Sequence, residues 1–386
     1  MKRLLAWSGT ILVLCITLFF LFGPRIVDNR MNPVVDRGPY EVPADIQAFH
    51  DSLLIVDLHA DQTLWDRDLL KRVGYGQVDL PRLQEGGVDI QVFSSVTKSP
   101  SGQNYQENKG DTDRITKLVI GQLWPVRTWG SLLERALYQS EKLHHAEARS
   151  QDLFIVRTRA DLEQFLANRR HEPTLVAGIL AIEGMHAMEA DLANFDRLYD
   201  AGFRMASTTH FFDNALSGSA HGQSGAGLTM LGKEMIDRQV VQGMMIDVAH
   251  ISPQTLDDIL SRTEVPLVFS HGGVQGTCPG PRNLSDEHIL AMAERGSVIG
   301  IGYWPEVMCG DSISDIVAAM RHIRDLTESV ENIALGSDFD GTVQTPFDTA
   351  GLALLTEALL TDGFTRDDVR AIMGENALRV FLNTLP

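Results

Sequence analysis

Hydrophobic positions gather in eight short runs, at residues 53–61, 89–96, 175–184, 204–210, 243–250, 266–272, 298–304 and 333–341. Most are followed by a stretch with helical spacing. Strand alternating with helix implies a parallel sheet, and eight such units predict an α/β fold closed into a (β/α)8 TIM-type barrel. The alternation breaks once, between Val96 and Leu175. There Ile115 to Leu123 and Trp129 to His145 look helical, and Thr158 can cap a further helix through Arg170, which predicts a helical insertion packed on the barrel. No internal repeat or low-complexity tract stands out.

Ahead of the barrel, Leu4 to Phe22 carries no charge and is mostly Leu, Ile, Val and Phe. At about 1.5 Å per residue this run is long enough to cross a bilayer. A cleaved secretory signal would be shorter and end in small residues, whereas Leu21, Phe22 and Pro24 follow here, and Leu14 rather than a small residue precedes Cys15. Residues 1–23 are therefore expected to be an uncleaved signal anchor, a single N-terminal transmembrane helix. Lys2 and Arg3 favour a cytoplasmic N-terminus and Arg25 and Arg30 dilute that bias, so the expected location of the catalytic domain is extracytoplasmic, periplasmic in a bacterium. Pro24, Pro33, Pro39 and Pro43 mark residues 24–43 as an extended tether, and the barrel domain is expected over 44–386.

Composition narrows the partners. A chain of 386 residues with 44% hydrophobic content can bury one large barrel core. Its formal charge of -18 disfavours nucleic acid and anionic headgroups, both of which need clustered Lys and Arg, and leaves a small-molecule substrate. A homodimer is left open.

The apolar runs end in ligand chemistry, as barrel active sites assembled from strand C-termini do. His59 and Asp61 close the first, Glu183 the third, His250 the fifth, His271 the sixth, and Asp338 and Asp340 the eighth. Each taken alone has a plainer reading: His-x-Asp is a weak motif, a strand-end carboxylate can be an ion-pair partner, and a core imidazole is usually just hydrogen-bonded. Five such residues on four strands change the balance, because independent core groups have no reason to fall on one rim, whereas a dinuclear metal site needs this set of N and O ligands. Spacing does not choose between Asp338 and Asp340.

These residues carry a resemblance. His59-x-Asp61, Ile182-Glu183-Gly184-Met185-His186, Thr208-Thr209-His210, Ile246-Asp247-Val248-Ala249-His250, Phe269-Ser270-His271, Arg282-Asn283, Gly336-Ser337-Asp338-Phe339-Asp340-Gly341 and the closing Gly374 to Phe381 follow the order typical of the membrane (renal-type) dipeptidases, peptidase family M19. The chain resembles that family from about Leu53 onward. The resemblance implies two zinc ions, one on His59 and Asp61, the other on His250 and His271, with Glu183 bridging both. It also implies His210 against the substrate and the developing oxyanion, Arg282 on the substrate carboxylate, and Asp338, rather than Asp340, handling the proton of a bridging water. A Cys278–Cys309 disulfide is a further implication, with two free buried thiols the alternative. Two departures, Ala60 and Gln62-Thr63-Leu64-Trp65, fall at positions that shape the pocket mouth and so bear on substrate preference. Among the remaining histidines (His144, His145, His186, His221 and His288), His186 is the best candidate to support a ligand, and the others are expected to be structural or exposed.

Three other readings are weaker. Deaminases and phosphotriesterases of the wider superfamily would normally show His-x-His on the first strand and often a bridging Lys, and neither is present. A mononuclear hydrolase would not need every ligand. A noncatalytic binding barrel would be expected to have lost ligands, and none is missing.

Overall fold

Buried on both faces, the strands of a parallel barrel are apolar throughout rather than alternating, and this chain follows that rule. The computed structural model describes residues 2–386, except the side chains of residues 2–12 and 16. Its strands are β1 (Val56–Ala60), β2 (Ile90–Val96), β3 (Leu153–Ile155), β4 (Val176–Glu183), β5 (Phe203–Ser207), β6 (Met245–Asp247), β7 (Val268–Phe269), β8 (Val298–Ile301) and β9 (Ile333–Leu335). They pair in the order β2-β1-β9-β8-β7-β6-β5-β4-β3, and β2 also pairs with β4 along its length. Eight parallel strands therefore close the expected barrel. The ninth, β3, lies outside it against the first residues of β4 and belongs to the insertion.

One core cluster runs through the barrel, with Leu58, Val92, Ile179, Met205, Met245, Val268, Val298 and Ala334 each drawn from a different strand. Val380 and Phe381 of the C-terminal helix Asn376–Thr384 join it. The backbone at Thr384 abuts Gly243, just ahead of β6, so this helix packs where the strands begin and leaves the other end open for the site. The insertion holds helices Ile115–Gly121, Leu132–Glu147 and Arg159–Asn168, the last started by a capping box between Thr158 and Asp161. Cys278 and Cys309 form a disulfide.

The N-terminal segment differs from expectation. Where an extended tether was predicted from residue 24, the helix runs on from Lys2 to Met31 with Pro24 inside it. Among the described residues no helix is long and apolar enough to cross a membrane; of the expected anchor, Leu4 to Phe22, the side chains of residues 4–12 and 16 lie outside the description. What holds the helix past Pro24 is a buried ionic clamp. Arg67 donates from Nε to Asp28 Oδ2 at 2.7 Å and is ion-paired through its other arm to Asp340. Asp28 also takes a hydrogen bond from the Asn32 amide, whose oxygen accepts from Thr342 N at 2.9 Å. Residues beyond Asn32 then run beside the loop after β9, with Val35 N donating to Thr345 O.

Removing one partner of a buried ion pair leaves the others charged and unsolvated, typically costing about 3–5 kcal/mol. Arg67→Met should therefore lower stability by about that much in denaturant titration, and Asp28→Asn, which leaves Arg67 its pair with Asp340, by clearly less.

Candidate active site at the strand ends

The open end of the barrel collects every residue expected at the site. His59 is the penultimate residue of β1 and Glu183 ends β4, while His250, His271 and Asp338 sit just past β6, β7 and β9. Glu183 is the point of convergence. Its Oε1 lies 2.7 Å from His250 Nε2, 3.1 Å from His271 Nε2 and 3.9 Å from His59 Nε2, and its Oε2 lies 3.4 Å from His210 Nε2. His59 Nε2 is also 3.5 Å from Asp61 and 3.8 Å from Asp338. All of these side chains are buried.

Local backbone geometry aims them. Gly184, at a φ of 91°, turns the chain immediately after Glu183, and a Cβ there would lie 2.5 Å from the His186 ring. His250 and Asp338 adopt left-handed φ values of 64° and 59° although neither is glycine. Such positions cost energy and persist where the surroundings fix them. Asp340, at 65°, is left-handed as well, so the alternation of a strand is lost after β9. Asp338 thus faces His59 while Asp340 turns to Arg67 and to the Gln77 and Val78 amides.

Two buried carboxylates that the sequence reading left out hold the frame. Asp247 accepts from Ser270 Oγ at 2.7 Å and from the Ser270 and Ala249 amides. The Ser270 hydroxyl hydrogen is committed to Asp247, so Ser270 Oγ, 2.8 Å from His271 Nδ1, accepts there; His271 carries its proton on Nδ1 and presents a bare Nε2 to the site. Asp57 plays the matching part across the barrel, accepting from Ser337 Oγ at 2.5 Å and from the amides of Ser337 and His59. The available signal was a carboxylate inside each of two apolar runs, since such a group must be paired. His210 is fixed by a carbonyl: Lys98 O can only accept, so Nδ1 donates to it at 3.2 Å and the neutral ring shows a bare Nε2 to Glu183.

Burial sets the electrostatics. It pushes the Glu183 and Asp338 carboxyls well above their usual range and holds His210, His250 and His271 well below theirs. His59 moves the other way: burial lowers it, but Asp61, Glu183 and Asp338 outweigh that and raise it to about 10. Both ring nitrogens of His59, Asp61 Oδ1 and His250 Nδ1 are buried without a hydrogen-bond partner. Bare imidazole nitrogens and carboxylates crowded this way are the donor set of a divalent cation, which would relieve the repulsion and satisfy the lone pairs. Three overlapping groups meet that requirement: His59, Glu183 and His271; Glu183, His210 and His250; and His59, Asp61 and Asp338.

Arg282 borders the same cavity. Its guanidinium is buried, donates once, to His271 O at 2.6 Å, and leaves Nε and one terminal nitrogen unpartnered. Gly272, at a φ of 151°, makes room, since a Cβ there would lie 2.9 Å from that group.

Over residues 44–384 the sequence matches the model of the membrane dipeptidases, peptidase family M19. The chain belongs to this family. It is therefore a membrane dipeptidase-like metallopeptidase, a hydrolase. Dipeptidase aclJ of Aspergillus oryzae is 25% identical over 98% of this chain and 88% of its own length. Among solved structures, the probable dipeptidase PvdM of Pseudomonas aeruginosa superposes with a TM-score of 0.72 at 16% identity, covering 88% of this chain and 97% of that one. A metallopeptidase of Rhodobacter sphaeroides, liganded with a phosphinate mimic of the dipeptide L-Ala-D-Ala, gives 0.70 at 22%, covering 86% and 99%.

Two of the other histidines are buried in structural contacts. His186, the candidate to support a ligand, bonds to Thr97 and packs on Phe212. His221, expected to be structural or exposed, is fully buried and stacks on Phe211, which packs against His250.

The Asp247–Ser270–His271 relay orients one nitrogen ligand without touching the metal position. Loss of such a support typically costs about 10- to 100-fold in metal affinity. Asp247→Asn should weaken metal binding by that factor in a competitive chelator titration while the folded barrel persists by circular dichroism.

Proposed function

We propose that this family member is a dinuclear zinc dipeptidase that reads its substrate's C-terminal carboxylate with Arg282. The observation carrying the reading is the meeting, in one cavity, of the Glu183-centred ligand cluster with a buried guanidinium that keeps two donors unpaired. His59 and Asp61 would hold one ion, His250 and His271 the other, and Glu183 both. Zinc bound there would lower the pKa of a water to near neutral, giving a hydroxide nucleophile, and would supply Lewis acidity for the scissile carbonyl.

The protein's own groups do the rest. Asp338, 3.8 Å from His59 Nε2, takes the proton of the attacking water and passes it to the leaving amine. His210 contacts the substrate; its Nδ1–H is already given to Lys98 O, so the neutral ring meets a substrate N–H through its bare Nε2 and has no proton left for the oxyanion. Arg282 offers a planar fork matched to a carboxylate one residue beyond the scissile bond, which limits substrates to dipeptides. The dipeptide mimic bound by the Rhodobacter relative supports this substrate class. Attachment to the extracytoplasmic face of a membrane by the N-terminal helix is the accompanying proposal. Its support is the uncharged run Leu4 to Phe22, the exposed apolar side chains Val13, Leu14, Leu18 and Phe22, and the Cys278–Cys309 disulfide, a bond rare in reducing compartments.

Purified enzyme should contain about two zinc ions per chain and lose activity to a chelator, and Glu183→Gln, which weakens both sites at once, should abolish turnover. Full activity with a single bound metal by elemental analysis would sink the dinuclear reading.

Arg282 makes a separate demand. Truncating one partner of a desolvated charge pair costs about 2–5 kcal/mol, so Arg282→Met should cut kcat/KM for a dipeptide by about 30- to several thousand-fold with metal content retained. A dipeptide amide should lose far less; equal losses on acid and amide would remove Arg282 from the carboxylate.

A further inference from the structure

The cavity holding the ligand cluster has a volume of about 760 Å³, and one wall comes from residues that precede the family match. Val27 and Met31 of the N-terminal helix line it together with Leu64, which follows β1, and Ile115 and Leu118 of the first insertion helix. Met31 packs against the buried cluster that includes Leu64 and Ile115, so this wall is continuous and apolar. It is also fixed, because the Asp28–Arg67–Asp340 clamp and the Asn32–Thr342 hydrogen bond tie the helix end to the loop that carries Asp338.

Strand order decides which part of a substrate meets this wall. Arg282 follows β7 and Leu64 follows β1, with β8 and β9 between them around the barrel. A dipeptide with its carboxylate on Arg282 and its scissile carbonyl at Glu183 points its N-terminal residue toward Leu64, Ile115 and Met31. We infer that the N-terminal helix is a specificity wall for the side chain of that residue, and that the enzyme favours dipeptides with a large apolar N-terminal residue. This rests on the dipeptidase reading above and on Arg282 as the carboxylate anchor.

The test uses the full chain and two opposed substitutions, Met31→Trp to fill the space and Met31→Ala to empty it. For each, kcat/KM is measured on Phe-Ala, Leu-Ala and Gly-Ala. Wild type should prefer Phe-Ala or Leu-Ala over Gly-Ala, and both variants should lower that preference by about tenfold, the scale at which a hydrophobic pocket registers a small change in apolar volume. A preference ratio is measured within one preparation, so a variant that folds poorly loses rate without moving it. Ratios unchanged in both variants, with wild type active on dipeptides, would overturn the wall while leaving the dipeptidase reading intact. Wild-type inactivity on every dipeptide would overturn both.

Discussion

The site depends on the burial of Glu183. Its carboxylate lies within 4 Å of four imidazole nitrogens at the floor of a cavity, where water cannot screen it. Concentrating carboxylates and imidazoles this way costs several kcal/mol per uncompensated charge, and the upward shift of Glu183 against the downward shifts of His210, His250 and His271 expresses that cost. A dication resolves it at once, by drawing the carboxylates into their charged form and taking the imidazole lone pairs. The cluster is thus a crowded donor set that a cation would satisfy, and only a rigid scaffold can hold such a set in place. The barrel provides it: Glu183 sits at the last register pair between β4 and β2, opposite Val96, where both strands are fully buried.

Aiming the ligands needs more than strand alternation. His59 and Glu183 are delivered by strands, but β6, β7 and β9 stop at Asp247, Phe269 and Leu335, short of His250, His271 and Asp338. Left-handed turns and the Asp57 and Asp247 hydrogen-bond networks complete the placement. Each network pairs a carboxylate on one strand with a serine beyond the neighbouring strand, Asp57 with Ser337 and Asp247 with Ser270. Adjacent strand ends are thereby locked in pairs, which holds the rim's geometry to the tolerance a metal demands.

This division explains what could be read from sequence. Apolar runs gave all eight barrel strands, and their terminal His and carboxylate residues gave the candidate ligand set, because buried charged groups gathered on one rim must be compensated there. The two-residue period gave no choice between Asp338 and Asp340, since it no longer applies once the backbone turns left-handed. Asp57 and Asp247 went unread because their partners, Ser337 and Ser270, are far away in sequence and unremarkable in type. The short β3 was missed for a related reason: three residues against one half of β4 produce too little pattern to detect. Residues 24–31 were misread because Pro24 suggests a break, while the forces that keep the helix going come from Arg67 and Asp340, which no local window contains.

That same clamp joins parts of the molecule that sequence treats as separate. Arg67 lies in the loop after β1, Asp340 in the loop after β9, and Asp28 on a helix before the barrel begins. Strands β1 and β9 are neighbours, so the clamp sits directly over the seam between the loops bearing Asp61 and Asp338. Trp65 adds a second tie across that seam, donating from Nε1 to Asp340 O at 2.7 Å. A displacement of the N-terminal helix would therefore be felt first at Asp61 and Asp338, one a metal ligand and the other the proton carrier in the proposed mechanism. His250, His271 and Arg282 hang from β6 and β7, on the far side of β8, and their supports run through Asp247 and Ser270 instead. The two halves of the site are thus held by separate networks that meet at Glu183 and where the His59 ring packs on His271, with centroids 3.7 Å apart.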